Sequence, residues 1–316
     1  MKRSSRRFGQ RSTPQGEHRP VLLSEVMEAL APKPGEVAVD CTLGRAGHAV
    51  ELLRAVGPTG FLIALDLDPG NLEPARQTLS TVADNFELHH LNFAGLLPLL
   101  QSRGIQADML IADLGMSSMQ VDQPERGFSL LRDGPLDMRM DLTRGRSAAE
   151  LLATLPASEL AAAFRDFGDE PEAEKIAASI VEQRSRRPLS RTIELTELVQ
   201  SAAPVKIEHG PGAATPRQQR LRPVARVFQA LRILVNREMA NLEQLLRTLP
   251  ECLKAGGRAA IISFHSGEDR RVKQAFRDGL REGVYSSIAE DPIRAGEQER
   301  QSNPRSRSAK LRWARK

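Results

Sequence analysis

Apolar positions along this chain follow two rhythms. Short continuous runs of strand length occupy residues 37–41, 61–66, 86–91 and 109–114, and a fifth, 258–264, comes much later. Between them, apolar residues recur at helical spacing over 49–56, 74–83, 94–103 and 224–249, and "SEVMEALAP" reads as an amphipathic helix with Ser24 as N-cap and Pro32 and Pro34 as its stop. Strands without internal polar alternation are buried on both faces, and strands that alternate with helices form right-handed βαβ units. The predicted fold class is therefore α/β, with a mostly parallel sheet.

The interval between the fourth and fifth strands is far longer than one crossover. Its middle, 148–203, reads as successive helices ("AAELLATL", "ASELAAAFRDF", "EAEKIAASIVEQR", "TIELTELVQSAA") with no strand signal. This pattern predicts an inserted all-helical domain that returns to the sheet through "PGAATPRQQRLRP". The expected layout is a disordered basic N-terminus over 1–18, a discontinuous α/β domain over 19–122 and 223–316, and an inserted loop and helical substrate-recognition domain over 123–222.

Composition sharpens the picture in three ways. Of 316 residues 40% are hydrophobic but only 4% aromatic, so the core must rest on aliphatic side chains. The net charge of +5 is concentrated in basic runs at 2–11, 184–191, 217–226 and 300–316, which points to a polyanionic partner, although each run taken singly reads as a solvated face or frayed end. Cys41 and Cys252 are the only cysteines and lack CxxC spacing, which argues against a disulfide scaffold or a cysteine-rich zinc site. No 18 apolar residues run together, and the basic N-terminus leads into no apolar signal segment, so a cytoplasmic protein without a membrane span is expected.

Candidate chemistry collects at the strand ends, where open α/β sheets bind ligands. The first strand runs into "AVDCTLGRAGHAVELL", whose Gly44 and Gly47 would let the backbone approach a ligand, and Asp66 ends the second strand where an acid can grip a ribose diol. The spacing is G-x-x-G and not the G-x-G-x-x-G of a pyrophosphate site, which favours S-adenosylmethionine over NAD. The fourth strand ends "LIADLGMSSMQVD", placing Asp113 at the edge as acceptor of a hydrogen bond from an amino nucleophile. Ser117 and Ser118 read equally as helpers or as helix caps. No cysteine lies here to attack a pyrimidine ring carbon, so nitrogen is the expected methyl acceptor. His265 ends the fifth strand in "IISFHSGEDRRVKQAF" and is a candidate catalytic contact, while Ser266 and Asp269 match a capping box. The loop "QPERGFSLLRDGPLDMRMD" offers Arg126, Arg132 and Arg139 for phosphates and Phe128 for a stacked base; the alternative is a loop held by its own Arg and Asp pairs.

These segments, with "HRPVLLSEVMEAL", "FQALRILVNREM" and "NPRSRSAKLR", resemble one family, the bacterial 16S ribosomal RNA (cytosine-N4)-methyltransferases, in family order from His18 to the C-terminus. The resemblance implies a class I S-adenosylmethionine-dependent methyltransferase, Rossmann-like, with the helical insert for RNA recognition, no metal in the transfer, and small-subunit rRNA or the 30S particle as partner. It implies cofactor contacts at Ala46, Gly47, His48, Asp66, Phe93, Asp113 and Gln120, and adds Arg305 and Arg307 to Arg126, Phe128 and Arg139 as RNA-binding candidates. It implies no obligatory protein partner. The chain departs from the family pattern at Ala46, Cys41, Met119, Gly267, Arg222, Ala225 and Pro171. A catalytically weak RNA-binding assembly factor that keeps the fold is the alternative function, and an NAD-dependent oxidoreductase the more distant rival.

Overall fold

The structure, a computed structural model, describes residues 19–210 and 214–316; the basic N-terminus expected to be disordered lies outside the described residues. The chain forms two compact units, one of Met116–Glu238 and the other of the preceding chain up to Gly115 together with Met239–Lys316. These divisions fall a few residues earlier at the first crossing, and well later at the second, than the boundaries read from the sequence.

The sheet unit contains β1 (Val37–Asp40), β2 (Phe61–Asp66), β3 (Phe86–His90), β4 (Ala107–Asp113), β5 (Leu253–Ser263), β6 (Ser287–Ile288) and β7 (Lys310–Arg315). Their order is β3-β2-β1-β4-β5-β7-β6, with β1 to β5 mutually parallel and β7 antiparallel between β5 and β6. This is the Rossmann-like fold expected. The chain passes from β1 outward to β2 and β3, then returns to place β4 on the other side of β1, so the switch point lies between β1 and β4.

Alternate residues of each strand feed two apolar layers, as the period of two requires. Ala38, Leu62 and Ile111 meet Val26, Ala49, Leu52 and Leu79 from helices Leu23–Leu30, Gly47–Val56 and Leu72–Ser80. Val39, Ile63 and Leu110 meet Leu100, Leu245, Leu249, Val272 and Phe276 from helices Leu96–Arg103, Glu238–Cys252 and Ser266–Arg281. Both layers are aliphatic, in keeping with the scarcity of aromatic residues.

Two features depart from the sequence reading. The basic segment 300–316 is no frayed tail, because β7 carries Leu311, Arg312 and Ala314 into the interior, while Arg315 stays exposed. Arg312 is 4% exposed, its Nε donates to Asp269 Oδ1 at 2.7 Å, and Lys310 Nζ donates to Asp269 Oδ2 at 2.8 Å. The single helix expected over 224–249 is two, Pro216–Asn236 and Glu238–Cys252, broken where Arg237 takes a left-handed φ of 52°.

The helical unit packs Ala148–Thr154, Ala157–Gly168, Ala173–Arg186, Thr192–Ala202 and Pro216–Asn236 around Leu152, Leu160, Phe164, Ile176, Leu195, Val227 and Leu231. Capping boxes start two of these helices, Ser147 with Glu150 and Thr215 with Gln218. Among the described residues no helix is long and apolar enough to cross a membrane.

Candidate active site at the switch point

The turn after β1 is suspended across the ends of three strands. Cys41 donates its N–H to Ile111 O at 2.9 Å, Leu43 to Leu65 O at 2.9 Å, and Gly44 to Asp66 Oδ2 at 2.7 Å. Thr42 closes the other side, its Oγ1 accepting the Asp113 N–H at 2.6 Å while its own N–H donates to Asp40 Oδ1 at 3.0 Å. Gly44 and Ala46 both adopt left-handed φ, 49° and 62°, and Ala46 does so without surface exposure. An alanine held there costs roughly 1–2 kcal/mol relative to a right-handed conformation, strain of a kind that gathers at functional turns.

Arg45 of the turn is exposed, whereas the side chains that follow it face inward. A Cβ on Gly47 would stand 3.1 Å from Pro20 Cβ, so the packing of Pro20 is a reason for glycine here beside the ligand approach read from the sequence. His48 is buried and its Nε2 lies 3.0 Å from Val21 O. Burial pushes its pKa down against the nearby Asp40 charge, so the ring is neutral and ties the helix to the N-terminal segment. Ala46, Gly47 and His48 thus leave only backbone groups for a cofactor.

Three carboxylates stand together at this edge, Asp40 on β1, Asp66 on β2 and Asp113 on β4. Asp66 braces the turn, accepting the N–H groups of Gly44 and, at 2.8 Å, Asp68; burial raises its pKa against those hydrogen bonds. Asp40 is 2% exposed and pushed up to about 6, first by burial and further by the charges of Asp113 and Asp66. Asp113 is pushed up to about 7 by burial, with Arg305 opposing the rise and Glu268 adding to it. Its Oδ1 is buried and accepts no hydrogen bond from the described residues. The role of Asp40 was missed in the sequence, although the acid that closes the first apolar run was the available signal.

Phe93 opens a single helical turn, Phe93–Gly95, after β3, capped by Asn92 Oδ1 accepting the Ala94 N–H at 2.9 Å. Its half-buried ring packs on the second apolar layer and keeps part of its surface open. His265 proves to be the N-cap of helix Ser266–Arg281, with Glu268 as its capping-box partner, accepting the N–H groups of Phe264 at 2.8 Å and His265 at 3.4 Å. This corrects the capping box, which Ser266 and Asp269 do not form; the His265 ring is mostly buried, its Nε2 3.3 Å from Glu268 Oε1 and without a hydrogen-bond partner among the described residues.

The sequence matches the MraW methylase family over residues 15–316. The chain belongs to the MraW methylase family. Similar proteins named "Ribosomal RNA small subunit methyltransferase H" occur in Geobacter sp. (strain M21), 44% identical with 93% of this chain and 97% of that protein covered, and in Citrifermentans bemidjiense, 42% identical with 93% and 97% covered. A third, from Leptothrix cholodnii, is 44% identical with 94% of this chain and 93% of that protein covered.

The loop residues that the sequence offered for phosphates and a base are engaged within the loop. Arg126 Nη2 donates to the carbonyls of Arg139 at 3.1 Å and Met140 at 2.9 Å. Arg132 Nη1 donates to Asp122 O at 2.6 Å, and Arg139 forms a two-pronged pair with Asp137 at 2.9 and 2.8 Å. Phe128 is 6% exposed in the unit's core, so it offers no face to a base. The alternative of a loop held by its own pairs is the one realised. Gln120 and Ser117 cap each other across helix Ser118–Asp122, with Ser117 N–H to Gln120 Oε1 at 3.0 Å, which gives Ser117 the capping role; the Ser118 side chain lies outside the described residues. In the sheet unit Arg305 is half-buried near enough to Asp113 to draw that carboxyl's pKa down, so it belongs to the strand-end site, while exposed Arg307 donates its Nε to Arg300 O at 3.0 Å.

Proposed function

We propose that this chain methylates the N4 amino group of a cytidine in small-subunit (16S) ribosomal RNA, using S-adenosylmethionine, in the cytoplasm and on an assembled or nearly assembled 30S particle. The observation that carries this reading is Asp113, a carboxylate at the switch point with a buried, unsatisfied Oδ1 and a pKa near neutrality. When bound, S-adenosylmethionine supplies an electrophilic methyl carbon on a sulfonium cation. The residues present fit it. Asp40, Asp66 and Asp113 surround the strand ends with negative charge suited to a cation, and Asp66, after accepting the N–H groups of Gly44 and Asp68 and a side-chain hydrogen bond from Asn71, keeps acceptor capacity for a ribose diol. The backbone of Ala46, Gly47 and His48 and the open part of Phe93 provide the remaining surface.

An amino group on a cytosine ring is a poor nucleophile because its lone pair is delocalised into the ring. Asp113 Oδ1 would accept an N4–H hydrogen bond, which localises that lone pair, and would take the N4 proton as the methyl carbon exchanges its bond to sulfur for one to nitrogen. A pKa of about 7 suits a base that must be ionised at neutral pH and still hold the proton it receives. In the helical unit, Arg220 and Arg222 are exposed on helix Pro216–Asn236 and without a partner among the described residues, and they remain available for phosphates.

The test is a nucleoside digest with mass spectrometry, on small-subunit particles from cells lacking this protein, before and after incubation with it and labelled S-adenosylmethionine. Labelled N4-methylcytidine is the expected product. No label, alongside heat of cofactor binding in calorimetry, would leave an RNA-binding assembly factor as the surviving reading.

A further inference from the structure

Helix Ser266–Arg281 leaves the end of β5, on the strand next to that of Asp113. Its inward line is Glu268, Asp269, Val272, Phe276 and Gly279, all buried. At 3.6 residues per turn Arg270, Lys273 and Arg277 fall within one arc of about 60° outside that line, Lys273 on its flank, and the rise from the first to the last is about 10 Å. Arg270 and Arg277 are exposed and Lys273 is partly so, and among the described residues none of the three has a hydrogen-bond or ion-pair partner.

The other charges of the helix are compensated. Glu268 serves the cap, Asp269 holds Lys310 and Arg312, and Asp278 pairs with Arg281 at 2.7 Å and accepts from Gln274 at 2.8 Å. Arg271 pairs with Glu243 of helix Glu238–Cys252 at 2.7 Å. The basic run 184–191 makes the contrast plain. Arg184 donates to the carbonyls of Leu152 and Leu155, Arg186 pairs with Glu182, Arg187 with Glu194 and Arg191 with Asp133.

We propose that Arg270, Lys273 and Arg277 form an RNA phosphate-binding rail that takes the backbone of the substrate strand beside the target nucleotide, an inference that rests on the functional reading above. Three cations spread over about 10 Å match the rise of about three nucleotides of one strand. No aromatic residue stands among them to anchor a protein partner, which protein interfaces favour.

The test replaces Arg270, Lys273 and Arg277 with Glu, singly and together, with a parallel set carrying Gln. Filter binding of a small-subunit rRNA transcript and of small-subunit particles is measured across salt concentration, with melting temperature and S-adenosylmethionine calorimetry as controls. Each lost cation is expected to lower the slope of log affinity against log salt by about 0.7–0.9, and the triple variant by about 2–3, with cofactor binding and melting unchanged. An unchanged slope overturns the rail. So does loss of binding to particles alone with transcript binding intact, which would assign the stripe to an acidic protein surface. A wild-type chain that binds the transcript through this slope but transfers no methyl refutes the functional reading and leaves the rail standing.

Discussion

Exchanging Asp113 for Asn should stabilise this protein and stop its chemistry. Burial lifts the Asp113 carboxyl from 3.8 to about 7. At 1.36 kcal/mol per pH unit, ionising it in the folded chain costs about 4 kcal/mol. The folded pKa lies above the unfolded one, so between about pH 4 and pH 7 the folded chain holds a proton that the unfolded chain has lost. Stability therefore falls as pH rises through that window and levels off above it. Asn does not titrate and escapes the loss. Water reaching the partly exposed residue reduces the full figure, which leaves a gain of about 2 kcal/mol for the variant at pH 8. Asp66 is also raised by burial but is present in both proteins and cancels in the difference, whereas Asp40, raised in part by the Asp113 charge, relaxes in the variant and adds to its advantage in the same direction. The assay is urea unfolding of wild type and variant at about pH 5.5 and about pH 8.5; about half of the window lies between them, so the advantage of Asn should grow by about 1 kcal/mol. Turnover of the variant should fall at least about 100-fold, and wild-type turnover should rise with pH through about 7 as the base ionises. An advantage that stays flat with pH, or near-normal turnover of the variant, refutes the placement of a buried ionising base at this position.

Three further outcomes follow from packing. Gly47→Ala should destabilise by about 1 kcal/mol although alanine is the better helix former, because the new methyl meets the Pro20 ring at about 3.1 Å; limited proteolysis near Arg19 should quicken with it. Arg312→Ala should cost about 3 kcal/mol in urea unfolding by stranding part of the Asp269 charge. Burial opposes the Asp269 charge, yet its hydrogen bonds from Arg312 and Lys310 hold its carboxyl below the ordinary value; the stability this gives is present above 3.8 and lost as pH falls through the lowered pKa, so the wild type should weaken in acid more than the variant. Phe128→Ala should lower stability by about 3 kcal/mol as a core cavity and leave the salt dependence of RNA binding unchanged, which filter binding would check.

The strand-end site was legible in the sequence because topology makes position along the chain equivalent to position in space. Once five apolar runs alternate with helices, the residue closing each run must lie at one edge, and Asp66 and Asp113 could be read there without any contact being known. The reasons for particular residues were less visible, because they come from segments remote in sequence. Gly47 is explained in part by Pro20 and the buried Arg312 by Asp269, and a strand whose polar positions are arginine and lysine looks like a tail until that acid is found. The cations left open to a polyanion were legible least, for a physical reason. An arginine binds phosphate only if no acid or carbonyl of its own chain has claimed it, and residue type is silent on that. Asp137 stands two residues before Arg139 and takes it in two hydrogen bonds, and the backbone at 139–140 takes Arg126. Arg270, Lys273 and Arg277, in a helix whose acids all face other partners, have no such claim upon them among the described residues. The cations of greatest use to a polyanion are the ones left over when every internal pairing has been made, and that remainder exists only in three dimensions.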